Sequence, residues 1–251
     1  MLSHNQAKHV QSLKLAKFRK LHGQFIAEGV KLAGELLESG MEVQQVFALE
    51  SWIEAHEGAL KAKSIPYQPV KETELARISQ MTTPNEVLML VKVPQRPAGE
   101  MPAGDIILFL DRIQDPGNMG TILRTADWFG IKDIVCSPGC ADVYGPKVVQ
   151  STMGSISRVR VTEREPEEFL KAAGRNATVY GTMMEGENIF RAELKTPAIV
   201  VIGNESQGIS ENLMPFIQQK IGIPSWSNQA ESLNAAIATA IVCAEFRRKT
   251  E

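Results

Sequence analysis

The chain has 251 residues, of which 43% are hydrophobic and 22% charged, with a formal net charge of −2. These proportions are typical of a water-soluble globular protein, and the length allows one domain or two. The near-neutral charge excludes a basic field over the whole surface, so any contact with a nucleic acid must come from a local cluster.

The three cysteines are an odd number, and Cys136, Cys140 and Cys243 belong to no CxxC or His/Cys group with zinc spacing. They indicate reduced thiols in a cytoplasm, and we expect no metal site. No apolar signal core follows the first residues, and no run approaches the roughly 18 apolar residues of a membrane span. We therefore expect a soluble, cytoplasmic protein that binds no membrane.

The first 27 residues form a basic segment without acidic residues, because the first acidic residue is Glu28. The candidate phosphate-binding side chains are Lys14, Lys17, Arg19 and Lys20. In a chain that is slightly acidic overall, such a cluster fits contact with the phosphates of a nucleic acid. A solvated terminus with no ligand explains the same residues equally well.

Residues 25–39 carry apolar side chains at helical spacing and stop at Gly40, which predicts a helix. Residues 43–49 and 86–93 have the apolar, β-branched character of strands. Short strands mixed with helices predict a small α/β domain in this part of the chain.

A stretch rich in proline and glycine, residues 94–104, predicts a linker, since such residues continue neither a helix nor a central strand. It separates a domain at residues 1–93 from a second at residues 105–251. In the second domain, strands are predicted at residues 106–110, 133–136, 178–183, 198–203 and 220–223. Helices are predicted at residues 121–129, 166–173, 210–219 and 231–248. This alternation predicts a parallel sheet with helices on both faces, whose ligands bind in loops at the carboxyl ends of the strands.

The first such loop runs from Asp111 to Gly120 and leads into the helix that carries Arg124. Gly117 allows a sharp turn, and an arginine fork near a helix start suits a phosphate. On spacing alone, a plain strand-to-helix turn with a solvated arginine explains the same residues and is the more common structure.

Two further loops place polar residues at the ends of predicted strands. The second loop carries Glu205, with Ser210 positioned to cap the next helix, and it is neither a P-loop nor a dinucleotide-binding turn. The third loop carries Ser232 and Asn234 at the head of a small-residue, apolar helix. Helix capping is the plainer explanation for Ser232.

In this order, the three loops resemble the three motifs of the SpoU (TrmH) family of RNA 2′-O-methyltransferases. The matching strings are Asp115-Pro116-Gly117-Asn118 with Arg124-Thr125-Ala126, Gly203-Asn204-Glu205 with Gly208, and Ile223-Pro224 with Ser232-Leu233-Asn234. The resemblance covers most of residues 106–248. More loosely, residues 1–93 resemble the small substrate-binding domain that often precedes this catalytic domain.

The resemblance implies a deep trefoil knot in the parallel-sheet domain, a homodimer formed through the C-terminal helix, and S-adenosylmethionine as methyl donor. It places the cofactor against backbone groups of Gly203, Ile223 and Leu233. The implied reaction is methylation of a ribose 2′-hydroxyl of structured RNA. A separate N-terminal domain favours rRNA over tRNA as the target, and it favours RNA contact by the basic segment.

For the reaction, the resemblance points to Asn118, Arg124, Glu205, Ser232 and Asn234. Arg124 is implied to grip the phosphate beside the target and to orient the hydroxyl. Whether it also acts as a base stays open, because an arginine side chain has a pKa above about 12. The other residues are implied to orient Arg124 and the ribose or to complete the loops.

The third loop departs from the family pattern, because Ser225-Trp226-Ser227 stands where members often have Met, a further residue and Gly. The shape of the adenosine or methionine pocket is therefore open, and Trp226 is a candidate stacking surface. One alternative function is a non-enzymatic RNA-binding protein that retains the knot and the pocket. A nucleotide-binding oxidoreductase would require a GxGxxG turn after the first strand, which the chain lacks.

Overall fold

The computed structural model describes residues 1–95, 102, 104–226 and 232–250, without the side chains of the last two. Most of the predicted linker, at residues 96–101 and 103, and Ser227 of the third loop lie outside the described residues. The chain divides into two compact units. They are Met1–Pro97 with Asp142–Ser157, and Ala98–Ala141 with Arg158–Glu251.

The first 97 residues hold five helices and four strands in the described part. They are α1 (His4–Ser12), α2 (Ala16–His22), β1 (Gln24–Glu28), α3 (Val30–Glu38), β2 (Val43–Ala48), α4 (Glu50–Ala62), β3 (Tyr67–Pro69), α5 (Glu72–Ile78) and β4 (Val87–Lys92). The following elements are β5 (Ile106–Leu110), α6 (Pro116–Trp128), β6 (Asp133–Cys136), α7 (Pro146–Thr152), β7 (Arg160–Glu163), α8 (Pro166–Ala173), β8 (Thr178–Asn188), β9 (Ala198–Ile202), β10 (Gln219–Gly222) and α9 (Ala235–Thr250). Short 3-10 helices cover Ser155–Ser157 and Glu211–Phe216.

The first unit is built on a four-stranded sheet in the order β1-β4-β2-β3. Strand β4 runs antiparallel to β1 and β2, and β3 runs parallel to β2. Apolar cores cover both faces of the sheet: Met89 of β4 belongs to one core and its neighbour Leu88 to the other. A strand buried on both faces needs apolar residues at every position, which explains the unbroken apolar run of β4.

The first unit also includes a segment from the middle of the chain, Asp142–Ser157. Val149 and Ile156 of this segment are buried in the same core as Phe25, and the ring centroids of Tyr144 and Phe25 lie 5.0 Å apart. The predicted boundaries placed the segment in the second domain. The difference arises because local sequence pattern does not report which core a segment's apolar side chains join.

The second unit is built on a six-stranded sheet in the order β10-β8-β9-β5-β6-β7, and every neighbouring pair is parallel. The predicted α/β class with a parallel sheet is confirmed. At the carboxyl edge of the sheet, Leu110 of β5 lies beside Ile202 of β9 and Cys136 of β6. The loops that follow these strands therefore begin side by side. The trefoil knot concerns how the chain threads, and it stays a prediction.

Two predicted helices are wrong in the structure. The helix predicted at residues 25–39 begins as strand β1, and Gly29, with a φ of 107°, separates that strand from α3. The helix predicted at residues 210–219 is a 3-10 helix that contains Pro215 and is followed by β10. Its expected cap is also wrong, because the hydroxyl of Ser210 donates to Asp111 instead. In the described residues, no helix is both long and apolar enough to cross a membrane.

Candidate active site

The first loop of the site is shaped by the capping of α6. The Asp115 side chain accepts a hydrogen bond of 2.8 Å from the backbone N–H of Asn118, and Pro116 occupies the first helical position. A side chain at Gly117 would bring its Cβ within 2.9 Å of the Asp115 carboxylate. The sequence Asp-Pro-Gly-Asn therefore starts the helix sharply, and Asn118 lies in its first turn.

Asn118 joins the three loops by hydrogen bonds of its amide group. Its Nδ2 donates to Oε1 of Glu205 at 2.6 Å, and its Oδ1 accepts from Nδ2 of Asn234 at 2.8 Å. Asn234 also caps α9, since its Oδ1 accepts from the backbone N–H of Ala236 at 3.0 Å. The chain Glu205–Asn118–Asn234 thus connects side chains that are 87 and 116 positions apart in the sequence.

The second loop is held tightly by its own backbone. Gly203 has no room for a side chain, because a Cβ there would clash with the backbone of Gly208 and Ile209. Asn204 and Gly208 exchange backbone hydrogen bonds of 3.0 and 2.9 Å, and the Asn204 side chain accepts from Ser206 N at 2.9 Å. This tight turn places Glu205 within reach of Asn118.

A cavity of about 1090 Å³ lies beside these loops. The three residues predicted to contact a cofactor through their backbones, Gly203, Ile223 and Leu233, all line it. Its wall also includes apolar side chains, among them Met183 and Ile202, with Glu205 and Ser232 as polar members. The cavity is large enough for a nucleoside-sized ligand, and its mix of apolar walls and few polar groups is usual for such sites. The residues present therefore fit S-adenosylmethionine.

The structure brings together only part of the predicted reaction group. Asn118, Glu205 and Asn234 are hydrogen-bonded, and Ser232 lines the cavity. Arg124 is exposed on α6, with no hydrogen-bond or ion-pair partner among the described residues. It lies about 9 Å along the helix from Asn118 and roughly 120° around it, which keeps it out of the Asn118 hydrogen bonds. Trp226, the candidate stacking residue, lines the cavity and is 86% exposed.

The basic segment shows one contradiction with the sequence prediction. The three candidate lysines are exposed, but Arg19 is only 6% exposed. Its guanidinium donates to the Asp142 carboxylate at 2.5 and 3.1 Å and to the backbone oxygens of Leu13 and Lys14 at 2.6 and 2.8 Å. The prediction of Arg19 as an RNA contact is therefore wrong, because its donors are committed within the first unit.

Sequence reasoning missed a second set of polar residues at the same sheet edge. Asp111, directly after β5, is buried and accepts hydrogen bonds from the backbone and hydroxyl of Ser210. Arg112 donates to Gln207 at 3.0 Å. The available signal was a charged pair at the carboxyl end of a buried strand, at the start of the first loop.

Two thiols lie behind the first loop. Cys136 ends β6, and the Cys140 thiol donates a hydrogen bond of 3.4 Å to the carbonyl of Leu110. A hydrogen bond with Cys140 and burial both raise the pKa of the Cys136 thiol, whereas the same bond lowers the pKa of Cys140. Cys140 is therefore the more acidic thiol beside the site.

Comparison with known families decides what kind of protein carries this site. The model of the SpoU rRNA Methylase family matches residues 105–244, which is more than half of the chain. The chain belongs to this family. Its SpoU domain is preceded by a match to the MRM3-like substrate binding domain at residues 4–89.

Similar proteins share nearly the whole length of this SpoU family member. A structure from Porphyromonas gingivalis, described as a TrmH-family RNA methyltransferase, is 38% identical with a TM-score of 0.88, and each chain covers 99% of the other. An S-adenosylmethionine-bound rRNA methyltransferase from Sinorhizobium meliloti is 28% identical with a TM-score of 0.88, over 99% of this chain and 96% of that one. The 23S rRNA (guanosine(2553)-2′-O)-methyltransferase of Bacillus subtilis is 27% identical over 96% of this chain and 99% of its own.

Proposed function

We propose that this chain transfers the methyl group of S-adenosylmethionine to a ribose 2′-hydroxyl of rRNA. The observation that carries the proposal is the Glu205–Asn118–Asn234 hydrogen-bond chain beside the cavity, in a member of the SpoU family. Similarity to an rRNA 2′-O-methyltransferase over nearly the whole chain supports the substrate. A non-enzymatic RNA-binding role is not favoured, because the polar residues tied to the chemistry are all present.

The cofactor supplies an electrophilic methyl group when it is bound. Backbone groups of Gly203, Ile223 and Leu233, which line the cavity, would hold it, and the apolar wall would exclude water from it. Asn118 fixes the relative positions of the loops around the cavity, which matters because methyl transfer requires accurate alignment of the reacting atoms. Arg124 grips the RNA phosphate beside the target hydroxyl. Its guanidinium stays protonated, so we assign it an orienting role and not that of a base.

The reaction is tested by incubating the protein with methyl-labelled S-adenosylmethionine and total RNA from a strain that lacks its gene. We expect label in a 2′-O-methylated nucleoside of rRNA with the unmodified protein and at least about a 100-fold lower rate with Arg124→Ala. Arg175→Ala is the matched control, because Arg175 is another exposed arginine of the same unit. Binding of the cofactor without label in any RNA would contradict the proposal.

The exposed lysines of the first unit are the proposed RNA contacts. We place RNA phosphates against Lys14, Lys17 and Lys20, and this rests on their exposure and on the absence of acidic residues before Glu28. The Phe18 ring lies beside Lys17, whose ammonium is 4.9 Å from the ring centroid. Cations beside an aromatic ring suit single-stranded RNA, whose bases stack on such rings.

Charge reversal tests this contact. Replacing all three lysines by Glu is expected to weaken RNA binding and to flatten its salt dependence, because fewer counterions are released. The control replaces three exposed lysines elsewhere, Lys31, Lys132 and Lys171, and makes the same change in net charge. If both triple variants lost RNA affinity equally, the loss would be due to the change in net charge, and the proposed contact would be contradicted.

A homodimer formed through the C-terminal helix is also proposed. Helices α6 and α9 pack against each other, and each exposes a large apolar side chain: Trp128 is 84% exposed and Ile237 is 52% exposed. Exposed apolar surface of this kind is usual at protein interfaces. The resemblance to the SpoU family, which implies a homodimer through the C-terminal helix, agrees with this face. We further propose a cytoplasmic location, which the three free thiols support.

A further inference from the structure

Two adjacent residues after β5 contact both ends and the middle of the second loop. Asp111 is 1% exposed, and its Oδ2 accepts hydrogen bonds from the backbone N–H and the hydroxyl of Ser210 at 2.7 and 2.6 Å. Its other oxygen, Oδ1, accepts from the Ser137 hydroxyl at 3.3 Å. A buried carboxylate is stable only with such partners. Asp111 therefore fixes the position of the loop's C-terminal end.

Arg112 adopts a backbone conformation that is unfavourable for its residue type. Its φ is 55°, in the left-handed region where glycine is the residue of least cost. Both of its backbone groups are bound by side chains: its N–H donates to the Ser137 hydroxyl at 2.9 Å, and its carbonyl accepts from Nδ2 of Asn204 at 2.8 Å. Arg112 thereby fixes the position of the loop's N-terminal end.

The Arg112 side chain reaches the middle of the same loop. Its Nη1 donates to Oε1 of Gln207 at 3.0 Å. Its Nε lies 3.5 Å from Oδ1 of Asp111, which is close enough for an ion pair, although the two atoms form no hydrogen bond. The buried carboxylate thus orients the guanidinium towards Gln207. Residues 203–209 of this loop all line the cavity.

We propose that Asp111 and Arg112 form a clamp that holds the cofactor loop, residues 203–210, in the shape that binds S-adenosylmethionine, with Arg112 as a positioning residue. A loop that is ordered before binding loses less conformational entropy when the ligand arrives, so the clamp strengthens cofactor binding. The unfavourable φ of Arg112 occurs at a residue whose side chain also binds Gln207, as expected for backbone strain at a functional position.

The substitution Arg112→Gly tests the effect of the clamp on cofactor binding separately from its effect on folding stability. Glycine adopts a φ of 55° without strain, so the backbone path is kept while the side chain that binds Gln207 is lost. We expect the dissociation constant of S-adenosylmethionine, measured by calorimetry without RNA, to rise about tenfold, the effect of one lost charged hydrogen bond. The melting temperature is expected to stay the same or to rise.

The matched control is Ser64→Gly. Ser64 has a φ of 53°, so the change relieves the same backbone conformation in a residue that does not line the cavity. We expect it to shift the melting temperature as Arg112→Gly does and to leave cofactor affinity unchanged. Unchanged cofactor affinity in Arg112→Gly would overturn the clamp. Because the readout needs no RNA, that result is separate from a failure of the proposed substrate.

Two further measurements distinguish a clamp from a general structural role. In Gln207→Ala and the double variant with Arg112→Gly, the loss of cofactor affinity should not be additive, since both changes remove one contact. In turnover assays, Arg112→Gly should raise the KM for S-adenosylmethionine and leave kcat and the KM for RNA within about twofold. Additive losses, or an equal rise in both KM values, would contradict the clamp.

Discussion

At the scale of single residues, the amide of Asn118 makes two hydrogen bonds that no other type of side chain of similar size could make. It donates to a carboxylate and accepts from another amide, so it needs a donor and an acceptor on the same group. An aspartate keeps the shape but loses the donor. The residue therefore matters for its hydrogen-bond polarity as well as for its size.

Asn118→Asp is expected to lower methyl transfer by about 100-fold or more, because a second carboxylate would face Glu205 where a hydrogen bond of 2.6 Å now exists. The rate is measured with labelled S-adenosylmethionine at saturating cofactor. Asn176→Asp makes the same chemical change at an exposed position and should have no effect. Wild-type rates in Asn118→Asp would show that the hydrogen-bond chain is dispensable.

Glu28 allows a prediction for pH dependence. Burial raises the pKa of this carboxyl, although it accepts hydrogen bonds of 2.6 Å from Ser79 and Gln80. A raised pKa in the folded state means that the folded protein favours the neutral acid. The stability due to Glu28 is complete below its ordinary pKa of 4.5 and is lost as pH rises through the higher folded value.

As the pH rises from 4.5 to 7, the free energy of unfolding of Glu28→Gln should therefore increase relative to that of the wild type. The reason is that glutamine stays neutral over that range. Urea unfolding at both pH values measures the change. The exposed Glu50→Gln is the control and should show no such trend. A constant difference between Glu28→Gln and wild type would contradict the assignment.

At the scale of elements, five of the six strands of the second unit were predicted, β7 was missed, and the contacts of the site were not predictable. The runs at β5 and β6 are apolar, short and bounded by turn residues, which fixes a buried strand from local sequence alone. Strand β1 was misread because Ile26 and Val30 match helical spacing by chance across Gly29. Contacts such as that of Asn118 with Glu205 join distant positions, and only the family resemblance pointed to them.

Gly203→Ala tests the tight packing of the second loop. A Cβ at this position would meet backbone atoms, which cannot rotate away as a side chain does. We expect cofactor affinity to fall by more than about tenfold, with a loss of stability typical of overpacking. Gly58→Ala in α4 is the control, since open space surrounds that glycine, and it should raise stability. Wild-type cofactor affinity in Gly203→Ala would contradict the packing argument.

At the scale of the whole molecule, a net charge of −2 coexists with a basic segment in one of the two units. The basic segment lies in the first unit, and the cavity and the Asn118 hydrogen bonds lie in the second. The proposed RNA contacts and the proposed reaction residues therefore belong to different units. The net charge is a sum over both units, so it does not report a basic segment in one of them.

The proposed homodimer gives a prediction at this scale. Ile237→Lys places a charge on the exposed apolar face of α9 and should convert the dimer to a monomer, as measured by sedimentation equilibrium. Phe190→Lys, at a residue 42% exposed outside α6 and α9, is the control and should stay dimeric. A wild-type protein that sediments as a monomer would remove the proposed interface.

The segment Asp142–Ser157 has a consequence for how this architecture is inherited. Because the first unit takes its core from two separate stretches of the chain, the polypeptide passes between the units three times. A gene exchange with one breakpoint near residue 97 would leave Val149 and Ile156 without the core around Phe25. The two units of this protein are thus expected to descend together, and recombination would exchange them only through several coordinated breakpoints.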